Sequence, residues 1–377
     1  MRPASEVELR RLNDTFAELC AIPSPSGRER AVADRVAGEL RALGLEVEED
    51  DAAEATGGDC GNLLARLPGR VDRSVLLCAH LDTVPHDGPV EPVLVDGAWE
   101  SAGETILGAD NKAAVAMLLA LAHRAVLEGS PIGVELLFTV GEENALGGAK
   151  AFDVGRLRSG FGYVFDHASP IGEVIVASPT YYRLEARFHG QAAHAGVRPE
   201  AGRSAIAAAA RAVAAMRLGR IDAETTANVG SIHGGAAATN VVPAHCTVLA
   251  EARSLSDAAA DALVAEMVDR CYDAANDPVC DCDLDISVER LFRGYRQKPS
   301  SEPVAAAEAA LRTCGYTPSR IQTGGGSDAN AFAAVGLPCT NLANGTERNH
   351  EPSERVSQAS LQGMLDVTFA LLDGLSG

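Results

Sequence analysis

Apolar residues in this chain gather in short, nearly unbroken runs. SVLLCAH at residues 74–80 and GVELLFTV at residues 133–140 are the clearest. Runs of this kind suit strands buried on both faces, as in a sheet covered by helices. Around them helix and strand patterns alternate: a helix over Glu29–Leu43, strands over Asn62–Leu67 and Ser74–His80, a helix over Asp110–Leu127, and a strand over Gly133–Val140. The first half therefore reads as an α/β core.

From about Ser178 the rhythm changes. A strand (Tyr182–His189) is followed by an Ala-rich helix (Arg203–Leu218), two strands (Ala227–His233 and Cys246–Arg253), a helix (Asp257–Ala275) and a strand (Leu284–Leu291). This βαββαβ order is that of a ferredoxin-like unit. After Arg293 the α/β alternation resumes, with a helix over Pro303–Arg312, the loop TGGGSDAN, a strand near Pro338–Leu342 and a last helix from Ser357. The expected organisation is a larger domain of residues 1–177 and 293–377, with residues 178–292 inserted into it.

Length and composition fit that division, since 377 residues with 46% hydrophobic content can bury two cores. The longest apolar stretch, AAVAMLLALA, falls well short of the roughly 20 residues that span a bilayer. The opening residues MRPASEVELRRLNDTF read as an amphipathic helix with no secretory apolar region, so the expected location is the cytoplasm. A net charge of −20 argues against nucleic acid or an anionic membrane as partner. The nine cysteines are scattered, and Cys280 and Cys282 lack CxxC spacing, so reduced and mostly buried thiols are expected.

Ligands of open α/β sheets collect where strands end, so the polar residues following each strand carry the most information. They are unusually acidic: His80 and Asp82, Asp110 at a helix start, the doublet Glu142 and Glu143, Asp166 after GYVF, and His350 in NHEP. Each alone is ordinary; Asp110 fits an N-cap and adjacent glutamates fit a charged helix start. Together, two histidines and several carboxylates form a mixed ligand set for Zn, Mn or Co, with more carboxylates than one tetrahedral zinc uses. Two metals fit better, and a pair of close dications needs a bridging carboxylate, for which the short, central Asp110 is suited.

In order and spacing, HLDTVP, ILGADNKA, TVGEENALGG, FDHASP, GGGSDANAF and NGTERNHEPSE resemble the M20 family of co-catalytic metallopeptidases. ETILGADNKA and the stretches ASPTYYRLEARFHGQAAHAGVRPEAGRSAI and TNVVPAHCTVLAEARSL are most similar to its peptidase T-like branch. The resemblance implies a mixed-sheet α/β catalytic domain with an inserted ferredoxin-like lid and dimerisation domain. It makes Asp110 the bridge between two divalent ions, Zn with Mn or Co as alternatives. His80 and Asp166 would complete one site, and Glu143 and His350 the other. Asp82 would orient the His80 ring, and a cis peptide is expected between Asp110 and Asn111. Glu142 would be the general base. His194, reaching the partner subunit's active site, would stabilise the oxyanion. Arg253 would hold a substrate carboxylate, helped by Asn240 and the loop of Gly324, Gly325, Gly326 and Ser327.

Two positions depart from the family pattern: His167, where a small residue usually follows the metal-binding aspartate, and His233, read as structural. His86, His123, His189 and His245 have no ligand context and read as ordinary histidines. The implied function is an aminopeptidase acting on short peptides, dimeric through the inserted domain. The alternatives are an N-acyl amino acid deacylase and a non-catalytic amino-acid or peptide binder. Retention of Glu142 and of all five ligand candidates counts against the last.

Overall fold

The amphipathic opening segment forms helix α1 (Glu6–Cys20), begun by a capping box in which the Ser5 hydroxyl accepts from the Glu8 N–H and the Glu8 carboxylate accepts from the Ser5 N–H. Helix α2 (Arg30–Ala42) and strands β1 (Val47–Glu49), β2 (Leu63–Leu67) and β3 (Gly69–His80) follow. Helix α3 (Ala109–Glu128) is apolar without a break from Ala113 to Ala122, and every residue from Ala109 to Ala122 is buried. A helix apolar on every side needs cover on every side. Here α1, β3 and the C-terminal helix provide it. Each fully buried Leu or Val there contributes roughly 1.5–3 kcal/mol relative to exposure.

Strands β4 (Ser130–Thr139), β5 (Gly162–His167) and β6 (Glu173–Ser178) complete the first pass. The inserted segment adds β7 (Thr180–His189), α4 (Ala205–Ala215), β8 (Thr225–Gly234), β9 (His245–Ser254), α5 (Asp257–Ala275) and β10 (Asp283–Phe292). The chain then returns through α6 (Glu302–Thr313), β11 (Ser319–Gln322), α7 (Asp328–Ala334), β12 (Cys339–Ala343) and α8 (Gln358–Gly374).

The computed structural model describes residues 2–377 and divides them into two units, one running to Ala177 and resuming at Gln297, the other spanning Ser178–Arg296. The return comes at Gln297, a few residues after the Arg293 expected from the sequence. In the larger unit the sheet runs β1-β2-β4-β3-β5-β12-β6, with β11 beside β6. It is mixed: β2 is antiparallel to β1 and β4, while β3, β4, β5 and β12 are parallel along the sheet. A small antiparallel sheet of Pro92–Val95, Ala98–Ser101, Thr346–Glu347 and Arg355–Ser357 lies apart from it.

The inserted unit is antiparallel with the spatial order β8-β9-β7-β10, the ferredoxin-like order expected from its βαββαβ sequence. Its core joins Leu184, Ala186 and Phe188 of β7 to Ala208 and Ala212 of α4 and Met267 and Cys271 of α5. Both helices therefore cover one face of the sheet. All nine cysteines are free thiols, eight of them buried and Cys314 half-buried. Among the described residues no helix is long and apolar enough to cross a membrane.

Candidate metal centre

Because β3, β4, β5 and β12 are parallel, their carboxyl ends share one edge, and the register fixes what stands there. His80, the last residue of β3, is opposite Thr139, the last of β4. Asp166 and His167 close β5, and Ala343 at the end of β12 pairs with His167. From there the chain runs to His350, which adopts a positive φ of 68°. Asp110 enters from the start of α3, and its peptide bond to Asn111 is cis.

Glu142 and Glu143 do not begin a helix. They sit in a turn closed by hydrogen bonds from Leu146 N–H to Glu142 O (2.8 Å) and from Gly148 N–H to Val140 O (2.8 Å). The short helix Gly147–Ala151 starts after them. Gly148 is required here, since a Cβ would lie 2.3 Å from Val140 O and 2.4 Å from Asn62 Oδ1. One buried carboxylate supports the doublet: Asp82 accepts from the backbone N–H of both Glu142 (2.9 Å) and Glu143 (3.1 Å), and from the Ser26 hydroxyl (2.6 Å). The same carboxylate lies 3.3 Å from Nδ1 of His80.

Asp110 divides its two oxygens. Oδ1 lies 3.3 Å from Nε2 of His80, and Oδ2 lies 3.2 Å from Nε2 of His350. His80 Nε2 is also 3.6 Å from Asp166, and His350 Nε2 is 2.8 Å from Glu143 Oε1. Ligand atoms of His80, Asp110 and Asp166 lie within 4.8 Å of one another, as do those of Asp110, Glu143 and His350. His80, Glu142 and Glu143 form a third such group. His80 and Asp82 are fully enclosed, whereas the His350 side chain is 48% exposed, so the cluster opens on that side.

Electrostatics sharpen the picture. Burial alone would lower the His80 imidazole, but Asp166, Asp110 and Asp82 raise it well above the usual histidine range. Hydrogen bonds to Asp110 and Glu143 push His350 up to about 10. Burial, reinforced by Asp166, pushes Glu142 well above the carboxylate range, and burial with Asp110 does the same to Asp166. Enclosed carboxylates thus outnumber the imidazoles that could balance them, and that excess negative charge is what bound cations compensate. The donor set fits two divalent ions sharing Asp110.

The remaining sequence candidates fall into two groups. In the larger unit, Gly325, Gly326 and the buried Ser327 lead into α7, whose first residue, Asp328, accepts from the Thr139 hydroxyl at the end of β4. That contact ties the loop to the strand edge bearing His80. In the inserted unit, His194 and Asn240 are both exposed and come together through backbone pairing, with Ala195 N–H donating to Asn240 O at 2.9 Å. Arg253, near the other end of β9 from His245, forks onto Glu251 (3.0 and 3.2 Å) and stacks 4.0 Å over Tyr181. His167 is half-buried, and burial lowers its imidazole. His233 is exposed, and His123 pairs with Glu39 at 2.9 Å.

Several participants were not singled out by sequence reasoning. Asn349 Nδ2 donates to Asp110 Oδ2 at 2.8 Å. Glu354, buried, accepts from the N–H groups of Leu107, Gly108 and Asp110 and so fixes the approach to α3. Glu29 accepts from Gly27 and Gly141 N–H, steadying the turn from the other side. The first two stand within or beside the NHEPSE motif, which was the available signal; for Glu29, beginning an expected helix, there was none.

Comparison with known proteins places these features in context. The model described as the M20 peptidase dimerisation domain matches residues 180–277, and the model described as Peptidase family M28 matches residues 62–162. The "Uncharacterized protein YqjE" of Bacillus subtilis is 37% identical over 97% of this chain and 99% of its own length. Among solved structures, aminopeptidase PepT of Bacillus cereus is 37% identical, with TM-score 0.88 over 98% of this chain and 99% of that one. A tripeptidase of Staphylococcus aureus is 33% identical, with TM-score 0.92 over 98% of both chains.

Proposed function

We propose, from the premise that this chain belongs to the M20 family of peptidases in its peptidase T-like branch, that it is a two-metal aminopeptidase of short peptides. The observation that carries the reading is the division of Asp110, one oxygen toward His80 and the other toward His350. Asp110 would bridge two divalent ions. His80 and Asp166 would complete one set of ligands, and Glu143 and His350 the other. The histidine and carboxylate donors suit Zn2+, with Mn2+ or Co2+ as substitutes. When bound, the ions would acidify the attacking water and polarise the scissile carbonyl.

The rest is the work of the chain's own residues. Glu142 would take a proton from the attacking water and hand it to the leaving amine. Its neighbour Glu143 meets His350, with Oε1 2.8 Å from Nε2, and would serve a cation. Asp82 would hold the His80 ring with Nδ1 protonated and Nε2 free to ligate, and through two backbone N–H groups it also sets where the doublet stands. His194, supplied by a partner subunit in a dimer formed through the inserted unit, would donate to the carbonyl oxygen as it becomes negative. Arg253, Asn240 and the loop of Gly325, Gly326 and Ser327 would receive the substrate's terminal carboxylate.

The choice of short peptides is supported by the similarity to a tripeptidase and to PepT over nearly the full chain. Metal-loaded protein should release free N-terminal residues from tripeptides and leave N-acetyl amino acids intact. Acetate release without tripeptide cleavage would instead assign an N-acyl amino acid deacylase.

A further inference from the structure

On the side of the inserted sheet away from its helices, two histidines 56 residues apart face each other in register: His189 closes β7 and His245 opens β9. Their Nδ1 atoms are 3.3 Å apart, and their rings meet nearly edge to face at 80°. Nε2 of His189 lies 3.1 Å from Oδ2 of Asp285 on β10. The sequence gives neither histidine a ligand context; only the strand register brings them together.

A carboxylate accepts and does not donate, so Asp285 selects the His189 tautomer that carries its proton on Nε2. The Nδ1 lone pair is then free and aimed at the partner ring. This is how a carboxylate prepares a histidine for a metal. The spacing agrees as well. Two nitrogens bound tetrahedrally at about 2.0–2.1 Å from zinc lie about 3.3–3.4 Å from each other. On this face Arg187 is engaged by Glu185 at 2.7 Å, and Asp283, opposite His189, adds negative charge.

We propose that His189 and His245 form a surface site for one borderline divalent transition cation, Zn2+ above all, oriented by Asp285 and completed by water. Neutral imidazoles select such ions over Mg2+ or Ca2+, which demand oxygen ligands. Immediately beyond the pair, Gly190 N–H donates to Ala244 O (2.8 Å) and Val242 N–H donates to Ala193 O (2.9 Å). The ion would therefore clamp the base of the two paired segments that carry His194 and Asn240.

Zn2+ equilibrium dialysis on the intact protein and on His189→Asn, His245→Asn and Asp285→Asn tests the site, with circular dichroism confirming the fold of each. Either histidine variant should bind one Zn2+ per chain fewer than the native protein, whatever the number held elsewhere. Asp285→Asn should keep that ion with about tenfold weaker affinity. Histidine variants that bind as many Zn2+ ions as the native protein, at the same affinity, would reduce the pair to a ring-to-ring hydrogen bond and overturn the proposal.

Discussion

The two sheets of this molecule display their polar residues in opposite ways. In the larger unit, β3 and β4 are buried along their final stretches, so a polar side chain there stands out: the last six residues of β3 are buried and end in His80. In the inserted unit one face is open, and β9 alternates buried with more accessible positions along its length. Charged residues are ordinary on such a face, where Arg183 pairs with Glu289 and Arg187 with Glu185. In a covered sheet, then, chemistry is confined to strand ends and can be located from sequence. In a half-open sheet a functional pair such as His189 and His245 is hidden among residues whose only task is solvation.

That contrast can be broken by substitution. The largest effect belongs to the strand edge of the larger unit: Glu142→Gln should lower kcat by about 10^2–10^4-fold, the usual range for a positioned general base, while metal content stays unchanged. A turnover assay beside elemental analysis checks both halves. Next is packing. Leu118→Ala, at a fully buried position of α3, should cost about 2–5 kcal/mol of stability in urea unfolding. Leu249→Ala, on the open face of β9 and 39% exposed, should stay within about 0.5 kcal/mol. Comparable losses at the two positions would erase the distinction between the sheets. The open-face ion pair is small as well: Arg183→Ala should shift stability by less than about 1 kcal/mol, and by less still in high salt.

The same contrast explains what the sequence made legible. His80, Asp110, Glu142, Glu143 and Asp166 were readable because each follows an apolar run or opens an apolar helix, and parallel strands must bring such positions to one edge; His350, in the polar stretch NHEP, was readable only in company with them. The βαββαβ order likewise led directly to the inserted sheet. Asn349, Glu354 and Glu29 were harder to see, because they act by hydrogen bonding to Asp110, to the approach to α3 or to the Gly141 turn, partners distant in sequence. The doublet's conformation was also hidden. GEEN resembles a charged helix start, but Asp82 and the positive φ angles of Ala145 and Leu146 hold it as a turn. Helix α4 is shorter than the Ala-rich pattern suggests, beginning only after the Ser204 cap and stopping before Arg217.

Asp110 as the bridge is the centre of the account, and metal stoichiometry tests it most directly. Elemental analysis in a His245→Asn background, which removes the surface pair, should give two divalent ions per chain. Adding Asp110→Ala should remove both together, because each ion loses the same ligand. One ion retained at its original affinity in the Asp110→Ala protein would contradict a shared carboxylate and with it the two-metal centre proposed for this strand edge.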